Sequence, residues 1–211
     1  MRGMDHAEAA TSPAGNVRTG PQDIRQKIMD AAVDFLWDHP FRELNAGVLM
    51  KRTDLSRPAF YQYFRNVNDL VQKLLLELQT EMVTVSSPWL TSDEPRDEAL
   101  RRSLGGIIEI CVRRGPVFRT IVEAAPMDQE LETAWNAFLR AWDEAVASRI
   151  KLEQSRGLID DAVDARSMAH ALNRLDAALL VDGFGRRDQA DPQKVLSTLH
   201  TIWMRSLYRS Q

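Results

Sequence analysis

Leu55-Ser-Arg-Pro-Ala-Phe-Tyr-Gln-Tyr-Phe64 decides how the chain is read. Ser56 stands where a hydroxyl can cap the N–H groups of a first helical turn, and Pro58 comes early enough that its missing N–H costs little. Phe60 and Phe64 lie four residues apart, so they share a face and can anchor a short helix in a core. Arg57, Ala59, Tyr61, Gln62 and Tyr63 are left on the other faces. Such a helix suits insertion against a polyanion, because a helix start favours phosphate and its first residues can reach base edges in a major groove. Arg57 matches guanine and Gln62 adenine, while tyrosine hydroxyls donate to phosphate.

The flanking sequence agrees. Asn45 is placed to cap a helix from about Ala46 to Thr53 with Val48 and Leu49 facing inward. Asp54 then falls at a tight turn, and aspartate tolerates the left-handed conformation better than most residues. Helix, turn and second helix give the helix-turn-helix layout. From Arg42 to Arg65 there are five basic residues (Arg42, Lys51, Arg52, Arg57, Arg65) against Glu43 and Asp54, a local charge of +3 in a chain of −3. A basic patch on an acidic protein points to a local phosphate-binding surface and excludes a general nucleic-acid coat. Upstream, Ile24, Ile28, Ala31 and Phe35 recur at +4, +3 and +4 and predict a helix ending at His39-Pro40. Downstream, Leu70, Leu74, Leu78 and Met82, with Leu75 alongside, predict a linking helix from Asn66 to about Val85 that breaks at Ser86-Ser87-Pro88.

Helical periods continue to the end. Helices are predicted over Asp97 to Arg113, closed by Gly115-Pro116, and over Val117 to Ala125, closed by Pro126. Others run from Asp128 to about Ser155, from about Asp161 to Asp182 (Met168, Leu172, Leu175, Leu179), and from near Pro192 to the C-terminus. With about nine helices and no strand-like alternation, the fold class is all-α. Three regions are expected: a flexible tail over 1–20, where Arg2 and Arg18 sit beside Asp5 and Glu8; a helix-turn-helix domain over 21–66; and a larger helical domain over 67–211. At 211 residues, 44% hydrophobic and 27% charged, the chain can build a substantial core. No apolar run approaches the ~18–20 residues that span a bilayer, and the start lacks the apolar stretch of a signal peptide. A cytoplasmic protein with no membrane association is expected. Cys111, a single cysteine in step with Leu100, Leu104 and Ile107/Ile108, reads as core.

Trp135, Phe138 and Trp142 recur at +3 and +4 on one helix face. Phe118 before them and Phe184 after them can join, and Asn173 and Asp176 stand on an otherwise apolar helix beside Leu172, Leu175 and Leu179. An apolar cavity with a few fixed polar groups is what a small-molecule site requires, and Asp176 would favour a ligand amine or hydroxyl. The competing reading puts Asn173 and Asp176 in a salt-bridge network with Arg174 or Arg140. His6, His39, His170 and His200 are isolated, and no HExxH, paired-cysteine motif or glycine-rich phosphate loop occurs. No catalytic residue, metal or cofactor is therefore expected. Two other classes stay open. One is a helical-bundle enzyme using Asp176 or Glu123 as a general base; the other is an adaptor with a vestigial helix-turn-helix.

The run Ser56 to Phe64, set in three helices followed by a linking helix and a larger helical domain, resembles the TetR family of transcriptional regulators. Trp135-Asn-Ala-Phe-Leu-Arg-Ala-Trp142, Ala171-Leu-Asn173, Asp176, Phe184, Val195-Leu-Ser-Thr-Leu199, Ile202-Trp203 and Ser206-Leu-Tyr208 are similar to its EthR-like branch. The resemblance implies a repressor that binds a near-palindromic operator in double-stranded DNA as a homodimer and is released by a small apolar effector. Asn45, Ser56, Tyr61 and Tyr63 would hold phosphates, while Arg57, Ala59 and Gln62 would face bases and Pro58 would shape the helix start. The last two helices would form a four-helix bundle with a second subunit, with Leu199, Ile202, Trp203 and Leu207 as the interface stripe. The sequence also departs from the pattern. Asp54 replaces the usual turn glycine, Met50 and Thr53 replace small residues, and Val67 replaces a phosphate-contacting lysine. Losing that lysine should remove about one unit of salt slope per subunit.

Overall fold

The computed structural model describes residues 20–208. The expected tail and its arginines lie outside them, apart from Gly20. Eight α-helices follow one another: α1 Pro21–Asp38, α2 Ala46–Met50, α3 Arg57–Tyr63, α4 Val67–Thr91, α5 Arg96–Ala124, α6 Gln129–Ser155, α7 Ala165–Phe184 and α8 Pro192–Leu207. Two 3-10 turns, Phe41–Glu43 and Ala125–Met127, complete the regular structure, and no strand occurs among the described residues. The all-α expectation holds.

Short acidic and amide side chains set the starts. Asn45 accepts from the Val48 N–H (3.0 Å), Asn66 from Asp69 (2.8 Å), Asp128 from Leu131 (2.9 Å), Asp164 from Ser167 (2.8 Å) and Asp191 from Gln193 (2.9 Å). Each satisfies an N–H that a helix start leaves without a partner. Asp164 is why α7 begins at Ala165 and not near Asp161. The helix of Ala46 stops at Met50 because Thr53 Oγ1 donates to the Met50 carbonyl (3.2 Å) and accepts from the Leu55 N–H (3.3 Å), drawing the chain into the turn.

Two expected breaks are joints inside longer helices. Proline frees the carbonyl four residues before it, which must find another donor. Pro88 lies within α4, and the Thr84 carbonyl it frees accepts the Ser87 hydroxyl at 3.0 Å. Ser103 Oγ on α5 then accepts the Trp89 N–H at 3.1 Å and donates to the Ser86 carbonyl at 3.3 Å. Pro116 frees the Val112 carbonyl, which takes the Gln189 side-chain amide at 2.9 Å from the segment after α7. There α5 kinks, with Arg114 at φ −133° and ψ 17°, but continues to Ala124.

Gly115 explains why the kink tolerates no side chain. A Cβ built there would stand 2.0 Å from the Phe184 carbonyl oxygen and 2.6 Å from its carbon. Both are backbone atoms, so the chain itself must move. Gly115→Ala is expected to cost ~1–3 kcal/mol of stability, read as a shifted urea midpoint with an unchanged m-value.

One continuous apolar core runs the length of the molecule. In its N-terminal part Ile28, Met29, Ala32, Phe35 and Leu36 of α1 join Leu49, Phe60, Phe64, Leu70 and Leu74, all essentially inaccessible. Cys111 is buried in the second part, where burial, reinforced by Asp176, pushes its thiol up to about 12. Leu199, Trp203 and Leu207 are also buried within the single chain, at 1–3% exposure. The strongest apolar stripe of α8 thus faces its own α-helical core, which corrects its assignment as an interface; Ile202 alone of that set is half-exposed.

Candidate nucleic-acid interface and ligand pocket

Phe60 and Phe64 hold α3 at 5.4 Å between ring centroids, and their burial fixes which faces point outward. Arg57, Pro58, Tyr61 and Gln62 are exposed, and Ala59 and Tyr63 are half-buried. Arg57 Nη2 donates to the Tyr61 hydroxyl at 3.3 Å, with the guanidinium 5.9 Å from the ring centroid. The two candidate DNA residues are therefore already paired one turn apart. Ser56 has N-cap backbone angles but makes no side-chain cap bond, so its hydroxyl is not the cap that the sequence suggested. Asn45 Oδ1 is committed to its own helix, and Nδ2 reaches the Glu43 carbonyl at 3.4 Å.

The local charge is partly spent internally. Arg52 pairs with Asp34 (3.4 Å) and lies 5.0 Å over the Phe35 ring, tying α2 to α1. Arg65 pairs with Asp69 and Glu130, and exposed Asp54 with Lys27 at 3.4 Å. Arg42, Lys51 and Arg57 are exposed and form no ion pair among the described residues. Val67, where the resemblance expects lysine, is half-buried against the core. A different lysine holds the end of α3. Lys73 donates to the Tyr63 carbonyl (2.9 Å) and to Asp69 (3.1 Å), and sits 5.0 Å over the Phe64 ring. The sequence reading missed it because it lies on α4, ten residues away.

The aromatic stripe of α6 lines a cavity of about 60 Å³. Phe118, Trp135, Phe138, Trp142, Asn173 and Asp176 all border it, so six of the seven expected ligand residues come together. Trp135 and Phe138 stack at 5.3 Å and 11°, and Phe138 meets Trp142 edge-on at 6.3 Å. Phe184 is the correction: it is fully buried against Gly115 and does not border the cavity. Met82, Ile107, Leu139, Ala177, Leu180 and Val181 complete the wall. They were not assigned to the pocket because period alone cannot separate an apolar residue facing a void from one facing the core.

Asn173 and Asp176 part company. Asn173 donates to Asp143 on α6 (2.9 Å), which also holds Arg174 (3.2 Å) and His170 (3.0 Å). Asp176 stands outside that network and, among the described residues, accepts a single bond, from Trp203 Nε1 at 3.0 Å. Burial pushes its carboxyl up to about 7 against the lowering effect of that bond. Glu123, the other general base considered, pairs with Arg119 at 3.3 Å and does not border the cavity. Among the described residues no group of three or more His, Cys, Asp or Glu could hold a metal ion.

Residues 100–209, just over half of the chain, match the family described as the transcriptional regulator EthR, C-terminal domain. The chain belongs to the EthR family. The HTH-type transcriptional regulator EthR of Mycobacterium tuberculosis is 27% identical over 207 residues, covering 96% of each chain. Its counterpart in Mycolicibacterium smegmatis is 25% identical over 210 residues, covering 97% of this chain and 96% of that one. Two solved structures share the fold. The TetR-family regulator PfmR of Thermus thermophilus is 17% identical with a TM-score of 0.71, covering 86% of this chain and 99% of that one. NalD of Pseudomonas aeruginosa, described as the secondary repressor of the MexAB-OprM multidrug efflux pump, is 17% identical with a TM-score of 0.71, covering 91% and 100%. The EthR relatives are described as HTH-type transcriptional regulators, and this EthR-type chain is a transcriptional regulator and not an enzyme, with the fold that the TetR-family structures share.

Two physical links join the pocket of this EthR-type protein to its helix-turn-helix. The helix that carries Trp135, Phe138 and Trp142 begins at Asp128, which takes the Asn68 amide, and Glu130, which takes Arg65 (3.2 Å) and Gln72 (3.5 Å). Arg119, next to Phe118, donates to the Leu36 and His39 carbonyls at the end of α1 and to the Gly185 carbonyl (2.9 Å). No membrane-spanning helix occurs among the described residues.

Proposed function

We propose that the protein is a ligand-responsive repressor that holds a near-palindromic operator as a homodimer and releases it when a small apolar molecule fills the pocket. The observation that carries this reading is the exposed start of α3: Arg57, Tyr61 and Gln62 stand out on a helix whose Phe60 and Phe64 cannot shift without opening the core. Arg57, Ala59 and Gln62 face bases; Asn45, Ser56, Tyr61 and Tyr63 hold phosphates. Residues 21–66 form the DNA-reading domain, and 67–211 the effector and dimerisation domain. Half-exposed Leu175, Leu179, Val195 and Ile202 on α7 and α8, and not the buried stripe, meet the second subunit. The protein works in the cytoplasm without a cofactor.

The cavity of about 60 Å³ is well below the ~300–1,000 Å³ of a drug-sized site. On this reading the present conformation is the DNA-holding one, and a ligand acts by favouring a wider one. Widening displaces α6, and through Asp128 and Glu130 it shifts the start of α4 and the spacing of the recognition helices.

The test is a selection of bound fragments from the source genome with purified protein, run in parallel with the double variant Arg57→Ala/Tyr61→Ala. A palindrome enriched by the parent and lost by the variant is the expected result. A good base contact contributes ~1–3 kcal/mol in each half-site, so affinity should fall by roughly two orders of magnitude. Equal enrichment by both proteins would remove α3 as the reader, and no enrichment by a folded dimer would favour the adaptor.

A further inference from the structure

A second cavity, of about 40 Å³, lies beside the first and shares Ile107, Trp142, Asn173 and Asp176 with it. These four residues form a partition between two apolar chambers. Hydrogen-bonding capacity is left unspent there. Trp142 Nε1 and Ser86 Oγ, both from the wall of the second chamber, are buried without a partner among the described residues. Asp176 borders both chambers and has Trp203 Nε1 as its one hydrogen-bond partner.

Among the described residues no cation forms an ion pair with Asp176. From α5 it faces Cys111, a neutral thiol; from α8, the indole N–H of Trp203; from α6, Trp142. From α4 it faces Met82 and Ser86. On α7 itself, Arg174 Nη2 and His170 are held by Asp143, while Arg174 Nη1 is buried without a partner among the described residues. Asp176 is half-buried, and a carboxylate desolvated without a cation beside it is costly, a cost that a paired charge relieves. Aromatic walls favour a cation as well.

Resting on the pocket reading above, we propose that this pocket selects molecules carrying a basic nitrogen: an apolar, preferably aryl-bearing body in the chambers with its ammonium group on Asp176 at the partition. Neutral analogues forgo the ion pair. Carboxylates such as fatty acids are repelled by Asp176. Because burial holds the Asp176 carboxyl near about 7, the ionised form rises from about a tenth at pH 6 to about nine tenths at pH 8. An amine protonated throughout that range binds only the ionised form, so its apparent affinity should rise about tenfold.

The experiment titrates the full-length protein with 4-phenylbutylamine, 4-phenylbutan-1-ol and 4-phenylbutanoate, followed by tryptophan fluorescence and calorimetry at pH 6 and pH 8. Expected are tightest binding by the amine, at least tenfold over the alcohol at pH 8, an about tenfold loss for the amine at pH 6, and no detectable binding of the carboxylate at pH 8, where Asp176 is ionised. Asp176→Asn keeps an acceptor for Trp203 and retains His170 and His200; in it the amine and alcohol should bind alike with no pH slope. The parent's own pH profile needs no variant, so a poorly folded Asp176→Asn leaves the test intact. An alcohol that matches the amine in the parent would overturn the amine class and leave the pocket standing. An amine preference that survives in Asp176→Asn would place the nitrogen elsewhere and overturn the proposal. No binding of any of the three would overturn the pocket with it.

Discussion

Glu153→Leu is expected to lower the unfolding free energy by about 3–5 kcal/mol, the cost of stranding a buried partner charge. Glu153 is fully inaccessible, and its Oε1 takes Arg149 Nε at 2.9 Å and Nη2 at 2.6 Å. Its other oxygen takes the Tyr208 hydroxyl at 2.5 Å, and Trp89 Nε1 donates to that same hydroxyl at 3.3 Å. Burial, and then the bond to Glu153, hold the Tyr208 phenol above its usual range. Arg149 Nη1 reaches the Ser92 carbonyl at 3.0 Å, so the cluster ties α6 to the α4–α5 connection and to the end of α8. With leucine in place, the guanidinium keeps Ser92 and loses its counter-charge. For a chain of this size the melting temperature should drop by roughly 10 °C. Arg149→Met/Glu153→Leu together should recover most of the loss, because burying neither charge is cheaper than burying one. A double variant as unstable as the single would show that geometry, and not charge, sets the cost.

Arg119→Met ranks next. Arg119 is 6% exposed, and its guanidinium closes two helices at once: the Leu36 and His39 carbonyls at the end of α1, and the Gly185 carbonyl at the end of α7. Methionine matches the stem and removes every donor, leaving buried acceptors without partners. A loss of about 2–4 kcal/mol is expected. Arg119→Lys should lose most of that too, because an ammonium has no planar fork to span separate carbonyls. Urea denaturation gives the size, and amide exchange gives the place: protection should fall at the end of α1 more than in α8. Uniform loss across the chain would mean that Arg119 serves the core as a whole.

The helical period was legible because each helix buries one face, and the starts at Asn45, Asn66, Asp128 and near Pro192 were legible because the caps act on N–H groups two or three residues away. Asp164, by contrast, was passed over for Asp161, and Ser56 makes no cap bond. Pro88 was misread for the converse reason, whereas the break expected at Pro116 stands as a kink between two helical stretches. Whether Pro88 or Pro116 ends a helix depends on who takes the freed carbonyl, and for Val112 that donor is Gln189, 77 positions along the chain. The recognition helix was legible through Phe60 and Phe64. Its staple Lys73 was not, and neither was Arg119 at the end of α1, since both act across elements. The aromatic wall showed in the +3 and +4 spacing of Trp135, Phe138 and Trp142, whereas the partition around Asp176 appears only once α5, α6, α7 and α8 meet. The α8 stripe misled because a strong apolar face says that something covers it, not which chain does.

Ser103 makes a fulcrum of the Pro88 joint. One hydroxyl grips both the Ser86 carbonyl and the Trp89 N–H, so α4 cannot slide along α5 at that level and any motion it makes is a swing about it. From Pro88 to Val67 the arm is 21 residues, or about 30 Å at 1.5 Å per residue, so a swing of about 5° carries its far end by about 3 Å. Ser86, Trp89 and Ser103 border the smaller chamber. On the proposed reading, a molecule entering there bears on the joint itself, at the root of a long arm whose far end leads to α3.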